Sequence, residues 1–147
     1  MAHGRPEIAT IALNIDRLMR RIHTELQRTA ETFDTFNVGP IGGMALLTIA
    51  DNEPVDIQTV SQALGRDKSQ ISRLLKRLDE KGLIKRKRCP SDGRTILLEL
   101  TKDGQRQLKS ITQALTSIIG DALEPLSTSE RKSLGDALAK VVLSRID

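Results

Sequence analysis

The chain has 147 residues, 38% of them apolar and 29% charged, and a formal charge of +4. That length suits one domain whose core buries roughly two-thirds of the unfolded surface, and no apolar run approaches the about 18 residues of a membrane span, so a soluble protein is expected. The opening Met-Ala-His-Gly-Arg-Pro-Glu has no apolar stretch before a cleavage site, and the single cysteine has no internal disulfide partner. Both features fit a reducing, cytoplasmic setting.

Pro6 suits a first helical position, and Ile8, Ile11, Ile15, Leu18, Ile22 and Leu26 follow at spacings of three or four, which predicts a long amphipathic helix. Asn37-Val-Gly-Pro40 breaks it. A second helix follows through Ala45, Leu46, Leu47 and Ile49 to Asp51-Asn-Glu-Pro54, with Gly42 and Gly43 obscuring its start. Asp56 is placed to cap a third helix carrying Ile57, Val60 and Leu64, which Gly65 stops. Asp67 is placed to cap a fourth, with Ile71, Leu74, Leu75 and Leu78 inward and Gly82 at its end. This tandem is a helix-turn-helix pattern.

Residues 83–88 and 95–100 are strand-length runs joined by Pro-Ser-Asp-Gly, so they read as a β-hairpin, and a hairpin beside a helix-turn-helix is a wing. Thr101 then caps a long helix with Leu108, Ile111, Leu115, Ile118 and Leu123, ended by Pro125. Ser127-Thr-Ser-Glu130 has the capping-box pattern and opens a last helix through Leu134, Leu138, Val141, Val142 and Ile146. The expected fold is mostly α with a small β-hairpin wing: a winged helix-turn-helix at 40–100, flanked by dimerisation helices at 6–36 and 101–147. The apolar stripe of the first helix is longer than a small winged-helix core covers. Ile8, Ile11, Ile15, Leu18, Leu123, Leu134, Leu138 and Val142 are therefore assigned to a subunit interface, the alternative being an intramolecular bundle.

Charge is distributed unevenly. Residues 66–94 hold 11 Lys/Arg against 4 Asp/Glu, leaving 12 against 15 elsewhere. This basic middle is either a polyanion-binding surface or a solvated helix exterior. With no Trp, no Tyr and only Phe33 and Phe36, the chain lacks the platforms on which single-stranded nucleic acid stacks, so duplex DNA is the remaining nucleic acid. In the fourth helix, Ser69, Ser72, Arg73 and Lys76 lie opposite the apolar face, flanked by Gln70 and Arg77, with Lys68 at the start. Such a face suits a major groove, where Arg pairs with guanine and Gln with adenine. In the wing, alternation prevents Lys85, Arg86, Lys87 and Arg88 from all facing inward, so at least two reach solvent or phosphate. Arg94, just past Gly93, is placed to enter a minor groove. Asp92 either holds a neighbouring arginine or shapes the turn.

The segment Arg73 to Gly104, "RLLKRLDEKGLIKRKRCPSDGRTILLELTKDG", together with the order of helices before it, closely resembles the multiple-antibiotic-resistance-regulator (MarR) family of winged-helix transcription factors. The most specific matches are Leu78 and Asp79 leading to Gly82-Leu83-Ile84, the Asp92-Gly93-Arg94 tip, and Leu100-Thr101 with Gly104. The resemblance implies a homodimer with interlocked first and last helices, the fourth helix in the major groove, Arg94 in the minor groove, and control by a small aromatic or phenolic effector. It implies a repressor that needs no cofactor. Gly42 and Gly43 fall where relatives carry helix-favouring residues.

Other signals are weaker. Cys89, flanked by Lys87 and Arg88, is either a redox-active thiol of lowered pKa or an incidental one. His23 borders the apolar stripe, as a ligand contact or an interface residue. One Cys and two His offer no metal-ligand spacing. No nucleophile with a base, phosphate-gripping loop or carboxylate pair marks an enzyme. The alternative to DNA binding is a winged-helix module that binds an acidic protein partner.

Overall fold

The computed structural model describes residues 5–144, so Ile146 of the expected last helix lies outside the described residues. In chain order the elements are α1 (Pro6–Phe33), α2 (Gly39–Asn52), β1 (Val55–Asp56), α3 (Ile57–Leu64), α4 (Lys68–Glu80), β2 (Ile84–Arg88), β3 (Ile96–Leu100), α5 (Lys102–Ala122) and α6 (Thr128–Leu143). The chain divides into two compact units, one of residues 27–114 and one formed by the two terminal segments, 1–26 and 115–147. Helices α1 and α5 each contribute residues to both.

The caps read from the sequence form as expected. Asp56 accepts the backbone N–H of Thr59 and Asp67 that of Gln70, while Gly65 closes α3 in the left-handed region at φ 60°. Ser127 and Glu130 make the reciprocal capping box of α6, and the Thr101 hydroxyl accepts the Gly104 N–H at 3.0 Å to open α5. Pro40 proves to lie in the first turn of α2 rather than only ending the preceding segment, and Gly42 and Gly43 are buried within that helix. The carboxylate of Asp34 supplies the missing start signal. It accepts the N–H groups of Val38 at 2.9 Å and Gly39 at 3.0 Å, and the buried Gln107 amide of α5 at 2.8 Å. Among the described residues, no buried side-chain nitrogen or oxygen lacks a partner.

In the larger unit the core is made by Leu46 and Ile49 of α2, Val60 of α3, Ile71, Leu75 and Leu78 of α4, and Leu83, Ile84 and Leu98 around the wing, all essentially inaccessible to solvent. The expected hairpin is the larger part of a three-stranded antiparallel sheet in the order β1-β3-β2. Val55 pairs with Leu98, and Ile84 with Leu100. Strand β1 escapes sequence reading because two residues carry no alternation; a buried Val55 on the free edge of β3 is what creates it. Glu53 continues this edge by accepting the Leu100 N–H at 2.6 Å.

Two glycines of this unit are expected to respond oppositely to an added methyl. A Cβ on Gly104 lies 2.0 Å from the Leu83 carbonyl oxygen, a clash with backbone, whereas one on Gly43 meets only Ile111 Cδ1 at an ordinary 3.5 Å. Gly104→Ala is expected to cost about 1–3 kcal/mol, and Gly43→Ala to gain about 0.5–1 kcal/mol from reduced unfolded-state freedom. Urea denaturation of the two variants checks this; a Gly104→Ala protein as stable as the parent contradicts the close approach.

Candidate nucleic-acid interface

Helix α4 projects its polar face because its four apolar side chains, Ile71, Leu74, Leu75 and Leu78, sit on one stripe and are buried. Lys68, Ser69, Gln70, Arg73, Lys76 and Arg77 are exposed, as the spacing predicts. Ser72 departs from that reading. It follows Ile71 at the border of the buried stripe and is half-covered. Ser69 also has a local role, since its hydroxyl donates to Asp67 Oδ1 at 2.5 Å. That bond, with the Gln70 N–H, holds the Asp67 carboxyl below its ordinary pKa. Gln70, Arg73, Lys76, Arg77 and Glu80 line a shallow depression along the helix. Glu80 was not read as part of this face; its signal is spacing, four residues after Lys76 and three after Arg77.

The wing starts where Gly82 takes φ 74° and sends the chain into β2. Lys85, Arg86, Lys87 and Arg88 are all exposed, more than alternation alone requires, because only Ile84 of this edge strand reaches the core. Three of them are nevertheless engaged. Lys87 Nζ lies 2.7 Å and Lys85 Nζ 3.5 Å from the two carboxylate oxygens of Glu99, across the ladder, and Arg86 Nε lies 3.4 Å from Asp79 Oδ2 at the end of α4. The hydrogen bond from Lys87, reinforced by both lysine charges, keeps the Glu99 carboxyl below its usual pKa. Arg88 makes no ion pair among the described residues.

At the tip, Asp92 shapes the turn. Its Oδ1 accepts the Arg94 backbone N–H at 3.0 Å and its Oδ2 the Thr95 hydroxyl at 3.2 Å, while Cys89 N–H donates to the Thr95 carbonyl at 2.8 Å. Arg94 is left exposed beside Gly93. Cys89 is half-buried, with Sγ 3.2 Å from Ser91 Oγ. Its pKa is lowered, through the Ser91 hydroxyl first and then the Ser91 and Asp92 backbone N–H groups, not through the neighbouring Lys87 and Arg88 that the sequence offered as a cause.

In the smaller unit, Ile8, Ile11, Ile15 and Leu18 of α1 and Leu138 and Val142 of α6 are exposed, from 37% for Leu18 to 78% for Val142. Leu123 and Leu134 are half-covered, and His23 is exposed. Among the described residues no group of His, Cys, Asp and Glu could hold a metal ion, and no helix is long and apolar enough to cross a membrane.

A cationic second helix of a helix-turn-helix, joined to a β-wing with an arginine at its tip, defines a winged helix-turn-helix protein. Residues 38–95 match the family model described as "MarR family". The chain is 30% identical over 105 residues to the organic hydroperoxide resistance transcriptional regulator of Bacillus subtilis, covering 71% of this chain and 70% of that protein. It is also 30% identical over 106 residues to the transcriptional repressor MprA of Escherichia coli, the match covering 71% of this chain but only 60% of that relative, less than two thirds of its length. Among solved structures, the transcriptional repressor CouR bound to a 23-mer DNA duplex superposes with a TM-score of 0.70 at 24% identity, over 93% of this chain and 96% of that one. The chain belongs to the MarR family of transcriptional regulators.

The hydroxyl contact makes the thiol directly testable. Alkylation of Cys89 by iodoacetamide is expected to follow a titration midpoint below that of a free thiol, and Ser91→Ala to move that midpoint up, because the hydroxyl that donates to the thiolate is lost. Identical rate-against-pH curves for the two proteins count against the assignment.

Proposed function

We propose that this protein is a homodimeric, sequence-specific repressor that binds duplex DNA through α4 and the wing and is released by a small aromatic or phenolic effector. The observation that carries the reading is the exposed row Gln70, Arg73, Lys76 and Arg77 along a helix whose opposite face is locked into the core. Lys68 and Ser69 complete the groove-facing set, with the half-covered Ser72 at its border, Arg73 and Gln70 as readers of base edges and the lysines as phosphate contacts. Arg86, Lys87, Arg88, Asp92 and Arg94 form the wing contribution, with Arg94 directed to the minor groove. In this reading 40–100 is the DNA-binding region, and 6–36 with 101–147 are the dimerisation helices. The repressor named MprA and the DNA complex of CouR are similar proteins with these roles in their own names. Effector release rests on family membership, and a ligand acts this way only if it binds one arrangement of the dimer better than the other.

Dimerisation follows from the apolar side chains that the smaller unit leaves uncovered, Ile8 at 54%, Ile11 at 51%, Ile15 at 49% and Leu138 at 51% exposure. A dimer also presents its two recognition helices about one helical turn of DNA, roughly 34 Å, apart. Ile8→Asp combined with Ile15→Asp, two charges one heptad apart on the same stripe, is expected to yield a folded monomer by light scattering and to weaken DNA binding sharply. A variant that remains a dimer rules this interface out.

The two halves of the DNA surface are separable by fluorescence anisotropy on a duplex selected by the protein, a single-base variant of it and a random duplex. Arg73→Ala is expected to cost about 1–3 kcal/mol on the selected duplex and to relax discrimination at one base pair. Arg94→Ala is expected to weaken binding to all three, most where A·T runs narrow the minor groove. If Arg73→Ala weakens all three equally and Arg94→Ala leaves all three unchanged, the assignment is wrong.

A further inference from the structure

The run Lys85-Arg86-Lys87-Arg88 offers four positive charges to a polyanion, but three of them already face a carboxylate, Lys85 and Lys87 across the ladder and Arg86 at the end of α4. Lys85 and Lys87 lie two residues apart on one strand and therefore on one face of the sheet. Glu99 stands directly opposite Lys85 in the register, and Lys87 reaches it diagonally. Each carboxylate oxygen takes one ammonium, so a single acid holds two lysines, and the three side chains together present one net charge instead of two. The Arg86 to Asp79 pair differs in kind, because it ties the strand to the end of α4.

We propose that Glu99 is a built-in competitor for DNA phosphate, withholding Lys85 and Lys87 and so setting how much of the wing's positive charge a duplex can use. The inference rests on the DNA-binding reading above and adds a residue that tunes it. The lysine side chains are 60% and 52% exposed and Glu99 22%, so the pairs sit at the surface, where the carboxylate and an approaching phosphate compete for the same ammonium groups. Displacement leaves Glu99 uncompensated beside the DNA backbone, which opposes the exchange. Binding to arbitrary sequence depends chiefly on phosphate neutralisation and counterion release, whereas base reading belongs to α4. A counter-charge confined to the wing therefore suppresses non-specific binding more than specific binding, and it raises the ratio between them. In the unaltered protein, Lys87 accordingly contributes less to the salt dependence than an unpaired lysine would, and Arg88 and Arg94 supply the larger part of the wing's share.

Glu99→Gln keeps the shape of the side chain and removes its charge. The experiment is anisotropy over a salt series, with a random-sequence duplex and a duplex selected by the protein as probes, and circular dichroism to establish that each variant is folded. Glu99→Gln is expected to tighten binding to the random duplex, to lower the selected-to-random ratio, and to steepen the slope of log K against log salt by about 0.9 for each lysine released per subunit. Adding Lys85→Ala and Lys87→Ala to Glu99→Gln is expected to remove that steepening, because the lysines that produced it are gone. If Glu99→Gln leaves slope and ratio unchanged while Arg94→Ala still weakens binding, the inference is overturned and the DNA-binding reading stands. If the unaltered protein binds neither duplex, the reading itself fails and the inference falls with it.

Discussion

A single backbone junction governs the geometry of the larger unit. At the end of α4, Gly82 turns left-handed, and its N–H and that of Leu83 return to the carbonyls of Asp79 and Leu78. The carbonyls of Gly82 and Leu83 then receive the Thr101 hydroxyl at 2.6 Å and the Thr101 N–H at 3.0 Å. Gly104, one turn further along, has no Cβ to separate α5 from the Leu83 carbonyl. The end of α4, both ends of the hairpin and the start of α5 thus meet within a few ångströms. That close approach, possible only with glycine at 104, seats the start of α5 against the turn between α4 and β2.

Around this junction the acidic residues of the basic segment are committed to structure. Asp67 caps α4, Asp79 holds Arg86, Asp92 shapes the tip, and Glu99 spans the two lysines of β2. Only Glu80 lines the cationic depression itself. Local positive potential at the surface therefore arises as much from where the carboxylates are anchored as from the number of basic residues, which is why a modest net charge supports a concentrated cationic face.

A second set of polar ties secures the loop between α1 and α2. Asp34 caps the start of α2 and binds Gln107, and Lys81 Nζ donates to the Phe36 carbonyl at 2.7 Å. The bonds to the Val38 and Gly39 N–H groups and to the Phe36 carbonyl join a side chain to backbone, and the Gln107 bond ties the same carboxylate to α5, which makes the loop a fixed part of the unit rather than a free connection.

The helices, their caps and the wing were legible in the sequence because the interactions that make them are local. Asp56, Asp67 and Ser127 act on N–H groups three residues away, and the stripe of Ile71, Leu74, Leu75 and Leu78 is a property of one helix period. The strands β2 and β3 were likewise readable, to within a residue, from two strand-length runs and the Pro-Ser-Asp-Gly turn between them. Tertiary structure alone decided what depends on register or on distant segments meeting. Examples are Val55 joining the sheet, Glu99 drawing in Lys85 and Lys87, Asp34 meeting Gln107 across 73 positions, and Glu53 reaching Leu100 across 47. Cys89 shows the same divide: its basic neighbours were visible in sequence, but the backbone turn brought the Ser91 hydroxyl, not those charges, to the sulfur. Side-chain type and spacing set which faces are polar. Only the folded chain sets which of those polar groups are already satisfied by one another.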